Sequence, residues 1–593
     1  MVLMALIIGG LKMAFYLKKT KQKNGRTYLS ICESYYHPEK KQTAQKLYAS
    51  YGSVETLMAG GIEDPISFYQ AEVNRLNNER NQEKAARKEK QIGKSPMRYI
   101  GHFPFVSILN TLDIKQYLDL MQSVRQFQFN LYEGLETLVS ARLVSPCSKY
   151  ATFHDVLPCL YGDYNLSYDQ ILSLCEYMGS EYEKIVEILT ARTAEKFGVD
   201  TSKSYFDCTN FYFEIDKETD FQKKGKSKEN KTEPLVGLGL LLDANQIPIG
   251  MRIFPGNESE KPKLRQIISE MKSAGGIKGR TIQVADKGLN CAENVYETIK
   301  RRDGYIFSKA VKSLPKIEKE WVLLDNGNSC DRNGPNRWTD VKDSDGTIKY
   351  RYKSCVDVFP YEYKDSMGKK HRFTMEEKRV VTYNPKLAAK QIFEIDKEVA
   401  KARGLCLSSA KKNQFGDSAK YVSFKSTSEG TVTDEKVAVC MNEDRIKEAK
   451  ALAGYNMIVT SEIGMSERQI YDAYHNLWKI EESFRIMKSE LDARPVFLQK
   501  ENSIKGHFLI CYTAVLLERL LQYQVLHEKY GAAQIMKLTH DLQVVKVEGH
   551  KYVNITASGD VVKGISKELN FPITNYFLTD AQLHTMLHSK LHK

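Results

Sequence analysis

Three acidic residues, Asp207, Asp286 and Glu481, stand in segments whose patterns carry them to the margin of a packed core. Asp207 lies inside SYFDCTNFYFEI, a run of aromatic and β-forming residues that reads as a strand. Asp286 ends TIQVAD, a second strand, and is followed by Lys287 and Gly288 at a strand-to-loop edge. Glu481 belongs to the helical stretch 466–491. A carboxylate on a packed margin is costly unless something there needs it. For Glu481 alone, an ion pair with a neighbouring Lys or Arg is the simplest account. Three carboxylates at one spot are a different matter, because two of them at about 4 Å repel by about 4 kcal/mol at an effective dielectric of about 20. A cation must offset that. Mg²⁺ takes hard oxygen ligands and few protein carboxylates. Two such ions about 3.5–4 Å apart activate a hydroxyl nucleophile and stabilise the leaving oxygen of a phosphodiester. Lys488, two turns beyond Glu481 on the same face, is a candidate phosphate contact, as are Arg485, Tyr474 and Lys287.

The elements that must hold these residues are legible in outline. SERQIYDAYHNLWKIEESFRIMKSEL reads as one long helix, with Ser466 and Gln469 at capping-box spacing and no Gly or Pro before Pro495. Leu477, Ile480, Phe484, Met487 and Leu491 form one apolar stripe, with Glu481 and Lys488 at its edge. Glu482, the rival third carboxylate, points away. The order from Ser204 is strand, strand, strand, helix, strand, helix, strand, the first three expected to be antiparallel. This α/β order resembles the ribonuclease H-like fold, a mixed sheet flanked by helices.

The chain reads as residues 1–64, an N-terminal β-rich module; 65–103, a charged helical linker, with a basic arm on DNA as the sharper alternative; and 104–202, a helical domain. Then follow 203–311, the first part of the α/β core; 312–454, a β-rich insertion; 455–528, the second part of the core; and 529–593, a C-terminal tail. The length of 593 residues suits several domains, and the formal net charge of +13 suits a polyanionic partner. The 11 Cys include no CxxC pair, which argues against a zinc module and for a reducing cytoplasm. MVLMALIIGG is far shorter than the about 20 residues that span a bilayer, and Met13 reads as the true start. His507 and Cys511 read as core residues, Lys223–Lys231 as a flexible loop with contact to DNA phosphates as the alternative, and Asp243 as a turn residue.

YHNLWKIEESFRIMK, from Tyr474 to Lys488, resembles the Y-x2-R-x3-E-x6-K signature of bacterial insertion-sequence DDE transposases, the insertion sequence four superfamily. DCTNFYFE at 207, GKSK at 225, FPGNESE at 254 and VADKG at 284 resemble that family's stretches around its first two Asp residues, and RPVFLQKENSIKGHFLICYTAVLL the segment after its Glu. The β-rich insertion and the amino end are similar to those of a long-chain subgroup. The resemblance covers residues 13 to 525. It implies Asp207, Asp286 and Glu481 as ligands of two Mg²⁺ ions, with Mn²⁺ as a substitute, and Tyr474 and Lys488 as phosphate contacts. It implies DNA binding by the helical domain, cut-and-paste action on terminal inverted repeats and target DNA, a homodimer, and a bacterial, nucleoid-associated setting. Trp321 and Trp338 are candidates for holding a flipped base, against a core role for both. The chain departs from the signature at its Arg, where Leu477 stands; Arg485 is the expected stand-in. The rival readings are a nuclease or resolvase that cuts without strand transfer, and an inactive DNA-binding remnant.

Overall fold

Alternating apolar and polar residues build the first of two compact units, Met1–Lys94. The computed structural model describes residues 12–37, 42–88, 96–125, 127, 129–215, 217–225, 233–324, 338–407, 412–426, 436–547 and 551–591. In this unit β1 (Lys12–Lys21), β2 (Thr27–His37) and β3 (Gln42–Ser53) pair antiparallel in that order. Asp64 caps a following helix, Pro65–Lys88, accepting from the amides of Ile66 and Ser67 at 3.1 Å. The sequence reads this helix as a solvated linker; instead it packs on the sheet. Val73 is buried, Asn77 exchanges two 2.9 Å hydrogen bonds with the Phe15 backbone, and Arg80 lies over the Phe15 ring and pairs with Glu33. Charged side chains hide this face from a periodicity argument because Asn77 and Arg80 share the contacts with Val73 and with Tyr69, which stacks on Tyr51 of β3. The decapeptide before Leu11 lies outside the described residues.

The second unit, Ser95–Lys593, is mixed α/β. After β4 (Met97–Tyr99) come the helices Phe103–Leu112, Lys115–Ser123, Leu131–Val144, Tyr168–Ser180 and Tyr182–Phe197. The sheet then begins with β5 (Lys203–Tyr212), β6 (Leu235–Leu242) and β7 (Pro248–Pro255), an antiparallel meander. Helix Lys261–Ser273 leads to β8 (Ile282–Ala285), and helix Ala292–Lys300 to β9 (Gly304–Lys309). β8 pairs parallel to β5, and β9 parallel to β8. This is the element order read from the sequence. β6, LVGLGLLL, is buried at every position, as a strand covered on both faces must be.

The stretch 312–454 does not stand apart as a β-rich insertion. β10 (Thr339–Lys342), β11 (Ile348–Lys364) and β12 (Lys370–Tyr383) extend the core sheet through β15 (Tyr455–Thr460), giving the order β10-β11-β12-β15-β9-β8-β5-β6-β7. Pairing with β15 satisfies backbone groups that an isolated hairpin would leave to water. Between β12 and β15 the helix Pro385–Leu407 and the hairpin β13 (Val422–Ser426) and β14 (Lys436–Met441) form small cores of their own. Trp321 and Trp338 pack around Lys353, whose Nζ lies 5.0 and 4.8 Å from their rings, and both are partly buried against the second apolar core.

The tail is also integral. β16 (Gln543–Lys546), β17 (Lys551–Asn554) and β18 (Phe577–Thr579) form a sheet with β4, so part of the stretch read as a linker is a strand. Leu542, Ile565, Leu583 and Leu587 join the helices of 103–197 and the long helix Glu501–Arg519 in one apolar core. That core also takes in Tyr205, Val284 and Ile306, one face of the large sheet. The helical domain is therefore continuous with the sheet. Among the described residues, no helix is long and apolar enough to cross a membrane.

Candidate active site

The acidic residues are placed by strand register. Phe206 pairs with Ala285, and Ala285 with Phe307. One step further along these parallel strands puts Asp207, Asp286 and Ser308 in a row across β5, β8 and β9. Side chains alternate across a sheet, so the row points to the same face as Tyr205, Val284 and Ile306. That face is covered by the stretch carrying Tyr474 and Glu481, through Ile470, Ala473, Leu477, Ile480 and Phe484.

Asp286 is the best-defined member. Its Oδ1 accepts from Ser308 Oγ at 2.7 Å and from Tyr474 Oη at 2.9 Å. Burial pushes its carboxyl up, but the Ser308 hydroxyl, the Lys287 amide, the Tyr474 hydroxyl and the Lys287 charge together hold it below its ordinary value. Burial and the Asp286 carboxylate push the Tyr474 phenol well up, so it stays a donor. Lys287 is exposed beside the row, and Asp207 is half-buried in the middle of β5. Ser308 carries no signal of its own in the sequence. Only parallel register, which makes it the equivalent of Asp286 on the next strand, could have marked it.

The 466–491 stretch is not one helix. Ser466 and Gln469 do form the capping box at the start of helix Glu467–His475. A tight turn at Asn476 and Leu477 follows, where the amides of Leu477, Lys479 and Ile480 bond three residues back. Helix Trp478–Arg485 then passes into a wider π-helical turn, Ile486–Glu490. Asn is a weak helix former; the Asn476 amide still bonds Asp472 at 3.1 Å, the ladder tightens only after it, and its side chain meets the Tyr205 hydroxyl. Leu477 is 8% exposed in the apolar core, so the signature Arg position makes no polar contact.

Glu481 is exposed on this stretch. Tyr474 reaches Asp286, and Lys488 Nζ stands 5.4 Å from the Phe211 ring on β5. Glu481 stands seven residues from each in the chain, on the first turn of helix Trp478–Arg485. Among the described residues, no group of three or more His, Cys, Asp and Glu side chains is gathered closely enough to hold a metal ion. Register puts the two aspartates on adjacent strands, and Glu481, which the sequence reading expects to join them, is exposed on the stretch that covers their face. Mutual repulsion opposes such a gathering, and both hydroxyls on Asp286 already serve its charge. The donor set still fits a hard cation, with carboxylates on adjacent strands and Asp286 kept ionised.

Two other expectations are redirected. Arg485 donates to Glu482 at 3.3 Å, so the stand-in for Leu477 is engaged by a carboxylate outside the row. Glu482 is 12% exposed and also accepts from Arg519, a fully buried guanidinium, at 3.0 Å. Glu482 is thus a structural ion-pair partner. Asp243 accepts from the Ile247 amide at 2.8 Å and the Asp200 amide at 3.0 Å, the turn role read for it. Most of the lysine-rich loop, residues 226–232, lies outside the described residues.

No match to the chain is found among curated proteins. The sequence model of the family described as "Transposase DDE domain" matches residues 204–517, from the strand that carries Asp207 to the helix beyond Lys488, more than half of the chain. With its acidic row inside that span, this chain belongs to the transposase DDE domain family.

Proposed function

We propose that the chain is the transposase of a bacterial insertion sequence, of the insertion sequence four superfamily, acting in the cytoplasm on terminal inverted repeats as a homodimer. Its core is ribonuclease H-like: a meander followed by two strands parallel to its first, the arrangement of β5 to β9. Asp207, Asp286 and Glu481 are the carboxylates that would hold divalent metal. Bound there, two Mg²⁺ ions, or Mn²⁺ in their place, would supply activation of a hydroxyl nucleophile and neutralisation of charge on the phosphodiester. Ser308 and Tyr474 orient Asp286 and keep its proton off, so that its oxygens stay available as ligands. Lys287, next to Asp286, and Lys488, over Phe211 on β5, fit contacts to DNA phosphates, and Arg485 would do so by releasing Glu482. The reaction is cleavage at the element end followed by joining of the freed 3′-hydroxyl to target DNA.

The single observation that carries this reading is the Asp207–Asp286–Ser308 row with the Tyr474 hydroxyl on Asp286, inside the span that matches the family. The test uses DNA bearing the gene with its own flanks. Glu481→Ala is expected to abolish Mg²⁺-dependent cleavage and to leave DNA binding within about threefold, since an exposed Glu supports no core. Cleavage by Glu481→Ala at the wild-type rate sinks the assignment. Pre-cut ends then separate transposition from simple hydrolysis: joined products are expected, and cutting without joining marks a nuclease. The burial of Leu477 favours one second reading, an inactive DNA-binding remnant, which predicts binding without cleavage by the wild type.

A further inference from the structure

A pocket of about 290 Å³, none of whose lining belongs to the acidic row, has the buried Arg142, Lys149 and His507 on its inner wall and the more exposed Tyr150, Tyr168 and Phe497 toward its mouth. Arg142 and Lys149 are 5% and 7% exposed, yet neither makes an ion pair with a carboxylate among the described residues. The Arg142 guanidinium donates only to backbone carbonyls, Cys147 at 2.8 Å, Leu491 at 3.3 Å and Asp492 at 3.5 Å. Lys149 Nζ meets His507 Nδ1 at 3.5 Å, and the other ring nitrogen of His507 faces the Ala493 carbonyl at 3.1 Å. Burial holds His507 well below its ordinary value, so it is neutral and offers Lys149 a lone pair but no charge. Burial, and then the charge of Arg142, push the Lys149 ammonium below its ordinary value, and the buried thiols of Cys175 and Cys511 beside it stay protonated and bring no counter-charge. The one carboxylate on the lining, Asp492, is exposed. Two buried cations without a counter-ion are expensive, and an anion entering the pocket would offset that.

The mouth adds a second, independent feature. Phe497 is 71% exposed and Tyr150 60%, large aromatic surfaces beside a cationic interior. Aromatic platforms next to positive charge suit unstacked bases. The pocket also connects to the catalytic strand. Lys488 stands over Phe211, Arg494 lies 5.1 Å from the Tyr212 ring, and Phe211 packs at 4.7 Å on Phe508, the neighbour of His507.

We propose that this pocket takes one unpaired nucleotide of the DNA, with its phosphate against Arg142 and Lys149 and its base against Phe497 and Tyr150. The proposal rests on the transposase reading. The full-length chain is titrated with a single-stranded oligodeoxynucleotide and with the duplex of the same sequence over a range of salt, and its melting is followed with inorganic phosphate. Lys149→Met is expected to weaken single-strand binding and to lower the log–log salt slope by about 0.7, the share of one phosphate, with Lys149→Arg restoring it. Phe497→Ala is expected to cost about tenfold on the single strand and little on the duplex. Wild-type affinity and slope in both folded variants overturn the pocket while leaving the transposase reading standing. Stabilisation by inorganic phosphate that Lys149→Met removes, with single-strand affinity untouched, marks a free-anion site and also overturns it. A wild type that binds no DNA overturns both. Should Lys149→Met fail to fold, Phe497→Ala at the exposed mouth decides alone.

Discussion

Asp286 shows how neighbours decide what a carboxylate can do. Its burial favours the protonated form, and two hydroxyls, an amide and Lys287 reverse that preference. A carboxyl held below its unfolded value adds stability above that value and loses it as pH falls through the folded one. Tyr474→Phe removes one of the lowering hydrogen bonds, so the acid limb of the cleavage profile is expected to move to higher pH. Ser308→Ala, which removes the larger one, is expected to move it further. A pH–rate series on the two variants checks this, and an unmoved limb would separate Asp286 from the chemistry. Glu482, next to the exposed Glu481, behaves otherwise. Glu482→Ala removes the 3.0 Å carboxylate partner of the buried Arg519 and leaves it Glu518 at 3.7 Å, and a loss of about 3 kcal/mol in denaturant unfolding is expected. Sequence rotation separated the two glutamates but saw no partner for Glu482, because Arg519 lies 37 residues away.

The helices that close over the sheet meet where side chains are absent. Helix Tyr168–Ser180 crosses helix Glu501–Arg519 at Gly179 and Gly506. A Cβ on Gly506 would stand 1.9 Å from the Cys175 carbonyl oxygen, and one on Gly179 would stand 1.6 Å from that of Asn502. The obstacle is backbone, which cannot rotate aside. Gly506→Ala is expected to lower stability by at least about 3 kcal/mol, read as a drop in melting temperature. A neutral substitution would mean the two helices are not held at this distance. In the sequence, Gly506 reads as one residue in an apolar run, since periodicity shows which face is apolar and not how close its partner comes. The same limit hid the break at Asn476: the apolar stripe continues through it while the backbone bonds change.

Over the whole molecule, charge is the property that sequence shows and folding redistributes. The net +13 is expected to give DNA binding that weakens steeply with salt, by about 0.9 in log–log slope per duplex phosphate contacted. A flat titration would remove the polyanion argument. Inside, burial pushes Glu136, Asp243 and Glu518 each up to about 7. For Glu518, whose carboxyl oxygens have no hydrogen-bond partner, burial is the largest cause, Arg519 opposes it, and Glu482 and Glu490 add to it. A carboxyl raised above its unfolded value stabilises fully below that value, near 4.5, and its contribution is lost as pH climbs through about 7. Glu518→Gln is therefore expected to melt higher than the wild type above about pH 7 and to lose that advantage in acid. Melting curves across that window test it.

By itself the sequence determined which stretches are strands and helices around Asp207 and Asp286, because alternation and helical spacing are local properties. It also marked both aspartates, through their setting in apolar strands, and the family through motifs spread from Asp207 to Lys488. Tertiary structure alone decided the rest. Parallel register set Ser308 beside Asp286, pairing through β15 drew 339–383 into the core sheet, and the tail closed on β4. The Arg142–Lys149 pocket likewise exists only in the fold. These are contacts between residues far apart in the chain, and no local pattern encodes a partner that another segment supplies.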